Sequence, residues 1–174
     1  MKKWFALLLA LCLLLGCAAL GEEAQVVRWS DVEAVLGDLG LTGSFVTFDA
    51  VDVKFWVPDG LTAVELTQEI LDAGYIGYFL GEDAHLAVVY IDAEGISVAE
   101  YAEMLAESGS CEQIAMLNVN GLLAVRYQMP DSDSLNIAFA TEAGYLLEVT
   151  MSPLSAEGAN VVWAIVGASI QAAE

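Results

Sequence analysis

The stretch EQIAMLNVNGLLAVRYQMPDSDSLNIAFATEAGYLLEVTM, residues 112–151, decides the fold of this chain. Its apolar, aromatic and β-branched residues fall into predicted strands at residues 112–117, 122–129, 135–141 and 145–151. Short turns join these strands, and Asn120-Gly121 is the strongest hairpin signal that two residues can provide. Because strands joined by tight turns pair antiparallel, the stretch predicts an antiparallel sheet.

Both faces of the predicted sheet carry apolar side chains. In residues 122–129, Leu123 and Val125 share one face, while Leu122 and Ala124 share the other. A strand with one face in water shows a cleaner alternation of apolar and polar residues, so helices are expected over both faces. The sequence therefore predicts an α+β fold, an α/β/α sandwich whose largely antiparallel sheet is covered by helices on both faces.

Capping residues mark where covering helices begin. Ser97 with Glu100 predicts a capping box that opens an amphipathic helix. Ser30 with Glu33 predicts another box, at the start of a short helix that ends near residues 37–40.

A closing helix is predicted from residue 156 to about residue 171, with Ser155 as its N-cap. Apolar residues surround this helix almost completely, so it is either buried or docked. Burial between the sheet and a neighbouring helix is one interpretation, and an exposed strip that binds a protein partner or a second copy is the other. The helix is too short to span a membrane.

Two further hairpins are predicted nearer the N-terminus, on either side of a helical segment around residues 67–73. Their strands are residues 44–48 with 53–57, and residues 75–80 with 85–91.

The start of the chain has the pattern of a secretion signal peptide. Lys2 and Lys3 precede an apolar run at residues 4–15, and small residues follow. This run is shorter than the ~20 residues that a membrane-spanning helix needs. We predict that residues 1–21 are a signal peptide and that residues 22–174 form a single exported domain.

Two cleavage sites compete. Ala19-Leu20-Gly21 suits an ordinary signal peptidase and predicts a secreted protein. Leu14-Leu15-Gly16-Cys17 resembles the bacterial lipobox, in which the cysteine is lipidated, and it predicts a lipoprotein anchored to the membrane through Cys17. Small residues are more usual at the position two before a lipidated cysteine, but this chain has the bulky Leu15 there. This difference favours ordinary cleavage.

Charge excludes several classes of partner. The chain has a formal net charge of −20, and without residues 1–21 it keeps only Arg28, Lys54 and Arg126 as basic residues against 25 acidic ones. Nucleic acids and anionic membranes bind clustered Lys and Arg, so neither is expected as a partner.

The residues for common catalytic and metal centres are scarce. The chain has one histidine, His85, and after cleavage one cysteine, Cys111, so a His/Cys metal site is not expected. We predict no catalytic residue and no cofactor. An acid pair that acts as a hydrolase stays an alternative, as does weak calcium binding at residues 92–95 or 131–134.

The candidate binding residues are Trp56, Arg126 and Trp163. Trp56 lies opposite the apolar face of its predicted strand and is the best candidate for an exposed contact, although packing under a helix is the simpler interpretation. Arg126, like Lys54, is a rare base that could bind an anion, although pairing with neighbouring acids is the simpler interpretation.

The order of these features resembles that of secreted bacterial members of the PsbP-like family. The resemblance covers most of residues 30–172 and includes the closing segment GYLLEVTMSPLSAE, residues 144–157, which runs into an apolar helix. It implies an α/β/α sandwich around an antiparallel sheet and a non-enzymatic assembly role. Photosystem II PsbP supports the oxygen-evolving complex, but no metal-handling residue can be placed here from it, and the resemblance does not imply photosynthesis.

Together these observations favour an exported, non-enzymatic module of the bacterial cell envelope that binds a protein partner or assembles with itself.

Export is expected to leave a chain that begins at Glu22, because Ala19 and Gly21 occupy the two positions that an ordinary signal peptidase reads. Mass spectrometry of the N-terminal peptide of the exported protein checks this expectation. A diacylglyceryl-modified Cys17 at the N-terminus would contradict it and establish the lipoprotein.

Overall fold

The computed structural model describes residues 24–91, 95–141 and 143–173. The predicted signal peptide, with Cys17, lies outside the described residues. So do residues 92–94 of one calcium candidate.

The predicted antiparallel sheet is confirmed and is wider than residues 112–151 alone. Its strands in the described chain are, in spatial order, β1 (Gln25–Val27), β7 (Glu112–Val119), β8 (Leu122–Met129), β9 (Ser134–Ala140), β10 (Leu146–Ser152), β6 (His85–Ile91), β5 (Tyr75–Leu80) and β4 (Thr62–Ala63). All neighbours pair antiparallel except β1, which pairs parallel with β7 and was not predicted. Across the centre, Val149 of β10 lies opposite Ile137 of β9 and Val88 of β6.

The hairpin predicted over residues 44–57 forms, but it belongs to a second sheet. β2 (Gly43–Phe48) and β3 (Val53–Pro58) pair antiparallel, and β11 (Gln171–Ala172) pairs with the other side of β3. Hydrophobic periodicity shows which side chains of a strand are buried, but not which sheet the strand joins.

Helices lie on both faces of the large sheet, as predicted. The helices of the described chain are α1 (Trp29–Glu33), α2 (Leu36–Leu39), α3 (Gln68–Asp72), α4 (Val98–Ser108) and α5 (Ala159–Ala168). On one face, Val98 and Ala102 of α4 pack against Val125 and Ala138 of the sheet. The other face is covered by α5 and the small sheet together, in one larger core.

Two of the predicted local signals are confirmed in atomic detail. The Ser97 Oγ accepts the Glu100 N–H at 3.2 Å, and the Glu100 carboxylate accepts the Ser97 N–H at 2.7 Å, which completes the capping box of α4. Asn120 and Gly121 both have positive φ, 50° and 96°, as the tight turn between β7 and β8 requires.

The capping box predicted at Ser30 and Glu33 is wrong. Helix α1 begins two residues earlier than this box requires, at Trp29, and its N-cap residue Arg28 makes no side-chain cap. Instead, the Trp29 N–H donates to the Oδ1 of Asn120 at 2.7 Å. A side chain far along the sequence therefore takes the place of a local cap.

The bounds predicted for the closing helix are also wrong. Helix α5 begins at Ala159 after Gly158, which has a left-handed conformation, and ends at Ala168. Ser155 does not cap it, because the Ser155 N–H and Oγ both donate to the carboxylate of Asp133. The interpretation of α5 as a buried helix is confirmed, since its residues from Trp163 to Ala168 are buried.

A hydrogen-bonded network attaches α4 to the sheet. The Glu148 carboxylate of β10 accepts hydrogen bonds from the hydroxyls of Tyr127 on β8, Tyr101 on α4 at 3.4 Å and Thr150 at 3.1 Å. Burial raises the pKa of Tyr127, and the charge of Glu148 raises it further. Burial is also the main cause of the raised pKa of Tyr101.

Gly43→Ala is expected to lower the free energy of unfolding by about 1–3 kcal/mol, because overpacking a filled site forces its neighbours to move. A Cβ at Gly43 would lie 2.3 Å from the carbonyl oxygen of Val57 and 2.5 Å from the indole of Trp56. Urea unfolding measures the change. Gly37→Ala is the matched control, since a Cβ there meets nothing within 4 Å. Equal stabilities of the two variants would contradict the prediction.

Alkaline pH is expected to destabilise the fold from about pH 10 upward, where tyrosines of the unfolded chain ionise. The folded state raises the pKa of Tyr127, so this residue's contribution to the free energy of unfolding is fully present below about pH 10. The contribution is lost progressively as the pH rises above that value. Tyr127→Phe should make the loss shallower by about 1.4 kcal/mol per pH unit. Urea unfolding between neutral and alkaline pH checks this, with exposed Tyr145→Phe as control. Identical pH profiles for wild type and Tyr127→Phe would refute it.

Candidate functional site

The strongest candidate site is an apolar groove of about 560 Å³ beside the start of α5. Ligand sites in proteins are typically concave, mainly apolar and of roughly 300–1,000 Å³. The apolar side chains that shape this groove are Leu39, Leu41, Leu61, Val161, Val162 and Trp163.

Tight turns from three parts of the chain form one side of the groove. Helix α2 ends at Gly40, whose φ of 67° turns the chain so that Leu39 and Leu41 both reach the groove. The Leu61 N–H donates to the Pro58 carbonyl at 3.0 Å and closes the turn after β3.

The turn between β5 and β6 packs closely against the turn after β3. The Gly81 N–H donates to the Ala84 carbonyl at 2.7 Å. A Cβ at Gly81 would lie 3.0 Å from both the Gly60 carbonyl oxygen and the Leu61 side chain. These two turns can approach this closely because residue 81 is glycine.

The opposite wall is the segment between β10 and α5, and three contacts fix it. The Leu154 N–H donates to the Asp133 carbonyl at 2.8 Å, and the Ser155 N–H donates to the Asp133 carboxylate at 3.0 Å. The Nε1 of Trp163 donates to the carbonyl of Pro153 at 2.9 Å. The wall is therefore held in place without a ligand.

Three carboxylates lie at the rim. Glu82 and Asp83 come from the turn between β5 and β6, and Glu157 comes from the opposite wall. All three are exposed to solvent. The groove thus combines apolar walls with a negatively charged, hydrated mouth.

A second cavity, of about 610 Å³, lies between β1, α1 and the turn after β7, and it is more polar. Its central side chain is already engaged, because the Asn120 amide accepts from Trp29 and donates to the carbonyls of Ala168 and Ile170 at 2.8 Å. Asn120 therefore connects α1, the end of α5 and the β7–β8 turn.

The structure does not expose Trp56 as a binding residue. Trp56 lies in the larger core and is 3% exposed. Its backbone N–H donates to the Oγ of Ser169 at 2.8 Å. β3 is the middle strand of the small sheet, and Trp56 packs into the larger core, in line with the simpler interpretation of its sequence position. Trp163 is likewise 3% exposed, but it lines the groove.

Arg126 is also inside the protein, with no exposed surface. Its Nη2 donates to the carbonyl of Gln113 at 2.7 Å. Gln113 has a φ of 51° and lies where the pairing of β7 with β8 shifts register. Arg126 therefore stabilises a β-bulge at the start of β7.

The other candidates are not brought together into one site. His85 begins β6 and stacks on Tyr78, whereas Cys111 is half-buried just before β7. Within residues 24–91, 95–141 and 143–173, no group of three or more His, Cys, Asp or Glu side chains could hold a metal ion. In the calcium candidate at residues 131–134, both carboxylate oxygens of Asp133 accept hydrogen bonds from Ser155.

Sequence reasoning missed the groove apart from Trp163. Its rim acids come from separate turns, and nothing distinguishes Glu82, Asp83 or Glu157 from the other acids of the chain. The available signal was the run of turn residues at positions 58–60 and 81–84, which shows where the chain reverses but not that the two turns meet.

Comparisons with known proteins bear on the fold alone. No protein-family model matches the chain, and no curated protein matches it. Among solved structures, the chain is similar to the solution structure of cyanobacterial PsbP (CyanoP) from Synechocystis sp. PCC 6803, with a TM-score of 0.52 and 14% sequence identity. The match covers 75% of this chain and 92% of the cyanobacterial chain.

In the described part of the chain, no helix has the length and hydropathy needed to cross a membrane. The arrangement of the large sheet and its helices, together with the match to cyanobacterial PsbP, shows that the chain has a PsbP-like fold.

Proposed function

We propose that this chain is an exported, non-enzymatic binding module of the bacterial cell envelope, and that its groove binds an apolar segment of a positively charged partner protein. The observation that carries the proposal is the combination of apolar walls with the exposed carboxylates of Glu82, Asp83 and Glu157 at one mouth.

The walls indicate what enters the groove. Leucine, valine and tryptophan side chains bind apolar groups by removing them from water, and full burial of one leucine-sized side chain contributes about 1.5–3 kcal/mol. A groove of about 560 Å³ has room for more than one such side chain. Because its walls are held in place by internal hydrogen bonds, little ordering is needed when a partner binds.

The charge indicates which partner is favoured. The chain carries a net charge of −20, and three acids are among the residues that line the groove. A basic partner is therefore attracted from a distance, and an acidic one is repelled. This distinction is strongest at low salt.

The groove favours binding over catalysis. The described part of its lining contains no hydroxyl, thiol, imidazole or amine side chain that could act as a nucleophile or base. Its three carboxylates are all exposed to solvent. The alternative of an acid-pair hydrolase therefore receives no support from this site.

The location outside the cytoplasm is supported by the signal-peptide pattern of residues 1–21. Free secretion and anchoring through Cys17 both leave the domain on the outer side of the cytoplasmic membrane. Neither requires photosynthetic partners.

The peptide acetyl-Lys-Leu-Leu-Lys-amide is expected to bind the groove with a dissociation constant on the order of a millimolar, since two buried leucines supply only a few kcal/mol. Nitrogen–proton NMR spectra should shift saturably at residues 81–84 and 156–163. The matched peptide acetyl-Glu-Leu-Leu-Glu-amide should shift them far less, because the rim repels it.

Ala156→Trp fills the groove from an exposed position in its lining and should abolish the shifts. Ala106→Trp, at an exposed position of α4, is the matched control and should preserve them. Equal binding of the two peptides, or binding that survives Ala156→Trp, would show that the groove is not the recognition site.

A further inference from the structure

The second cavity, of about 610 Å³ between β1, α1 and the β7–β8 turn, differs in charge from the rest of the chain. Among the described residues that line it there is one base, Arg28, and no acid. The whole sequence has 25 acids and only 5 bases, so this composition is unusual for a polar cavity of this protein. Arg28 is exposed and has no acidic partner in the described part of the chain.

A second base lies next to this cavity. Gln171 of β11 lines the cavity, and Lys54 of β3 lies directly opposite Gln171. Directly opposite residues project their side chains from the same face of a sheet, so the side chains of Lys54 and Gln171 are neighbours. The described acids that lie nearest to the two bases in the sequence, Asp31 and Asp52, do not line the cavity. Two of the three bases of the predicted exported domain are therefore gathered around one polar cavity.

The lining also offers hydrogen-bonding side chains that are only partly used. The Asn118 Oδ1 accepts the Gly121 N–H at 3.0 Å, and the Gln171 Nε2 donates to the Ser169 carbonyl at 3.2 Å. These bonds leave the Asn118 Nδ2 as a donor and the Gln171 Oε1 as an acceptor. The exposed hydroxyl of Ser30 can act as either. A ligand with hydroxyl groups beside its charge therefore finds partners in the lining.

The walls of the cavity are held together by Asn120. Its Oδ1 accepts the Trp29 N–H at 2.7 Å, and its backbone N–H donates to the Val27 carbonyl at 2.9 Å. Its Nδ2 donates to the carbonyls of Ala168 and Ile170 at 2.8 Å. Because these contacts already order the walls, little conformational entropy is lost when a ligand binds.

We propose that this cavity binds a sugar acid, a monocarboxylate with several hydroxyl groups, whose carboxylate pairs with Arg28. A guanidinium presents N–H donors in the geometry that matches the two oxygens of a carboxylate. The Asn118, Gln171 and Ser30 side chains provide partners for the hydroxyls, and the half-buried indole of Trp29 provides an apolar surface for the C–H groups of the ring.

The overall charge favours a carboxylate over a phosphate. The net charge of −20 repels anions, and this repulsion grows with the charge of the ligand. A phosphate monoester carries roughly −1.5 to −2 at neutral pH, whereas a carboxylate carries a single negative charge. A singly charged ligand therefore gains the pairing with Arg28 at the smaller electrostatic cost.

Nitrogen–proton NMR titrations of the exported protein at constant ionic strength test the proposal. D-Glucuronate should shift residues 26–30, 118–121 and 171 saturably, with a dissociation constant on the order of a millimolar. D-Glucose, which lacks the charge, and acetate, which lacks the hydroxyls, should each bind about tenfold more weakly. No saturable shift with glucuronate, or equal binding of glucuronate and either control, overturns the proposal.

Arg28→Gln removes the charge and should weaken glucuronate binding about tenfold. The variant should fold, because the described chain gives the Arg28 side chain no partner to lose. Ala106→Glu, at an exposed position of α4 outside the cavity, is the matched control, because it changes the net charge by the same amount. It should leave binding nearly unchanged. Equal losses in the two variants, or full binding by Arg28→Gln, would overturn the assignment to Arg28.

The two ligands also report on separate surfaces. The basic peptide should shift residues 81–84 and 156–163 at the groove, and glucuronate should not. Either proposal can therefore fail while the other holds. Shifts by glucuronate at the groove alone would place the sugar acid there and contradict its assignment to the second cavity.

Discussion

The burial of β9 on both faces is the constraint on which the rest of the structure depends. From Ser134 to Phe139 every residue of this strand is buried. The larger core takes Leu135, Ile137 and Phe139, and the smaller core takes Ala138. A central strand of this kind is stable only if both faces are covered, and α4 covers one while α5 and the small sheet cover the other. The approach of α5 is close: a Cβ at Gly167 would lie 2.4 Å from the Ile137 side chain.

Because both faces of the large sheet are covered, the candidate binding surface lies at the turns and helix ends around the sheet. Two of the candidate binding residues of the sequence, Trp56 and Arg126, are buried inside the fold. The groove lies where this covering ends, because α5 begins only at Ala159 and the preceding segment is fixed by hydrogen bonds to Asp133.

The net charge of the chain acts in the same direction as the acids that line the groove. At the groove, Glu82, Asp83 and Glu157 add to the overall field, which attracts a basic partner. Higher ionic strength therefore weakens the attraction of a basic partner to the groove.

The sequence by itself determined the elements whose signals are local. The strands of residues 112–151, the Asn120-Gly121 turn and the Ser97 capping box depend on residues close together in the chain, and the resemblance to the PsbP-like family indicated the same architecture. The tertiary structure decided the start of α1, where Trp29 bonds to Asn120, 91 residues away, and the start of α5, where Ser155 bonds to Asp133. It also decided the second sheet and the groove. Such contacts join segments distant in sequence, and local periodicity and capping patterns carry no information about which distant segments meet.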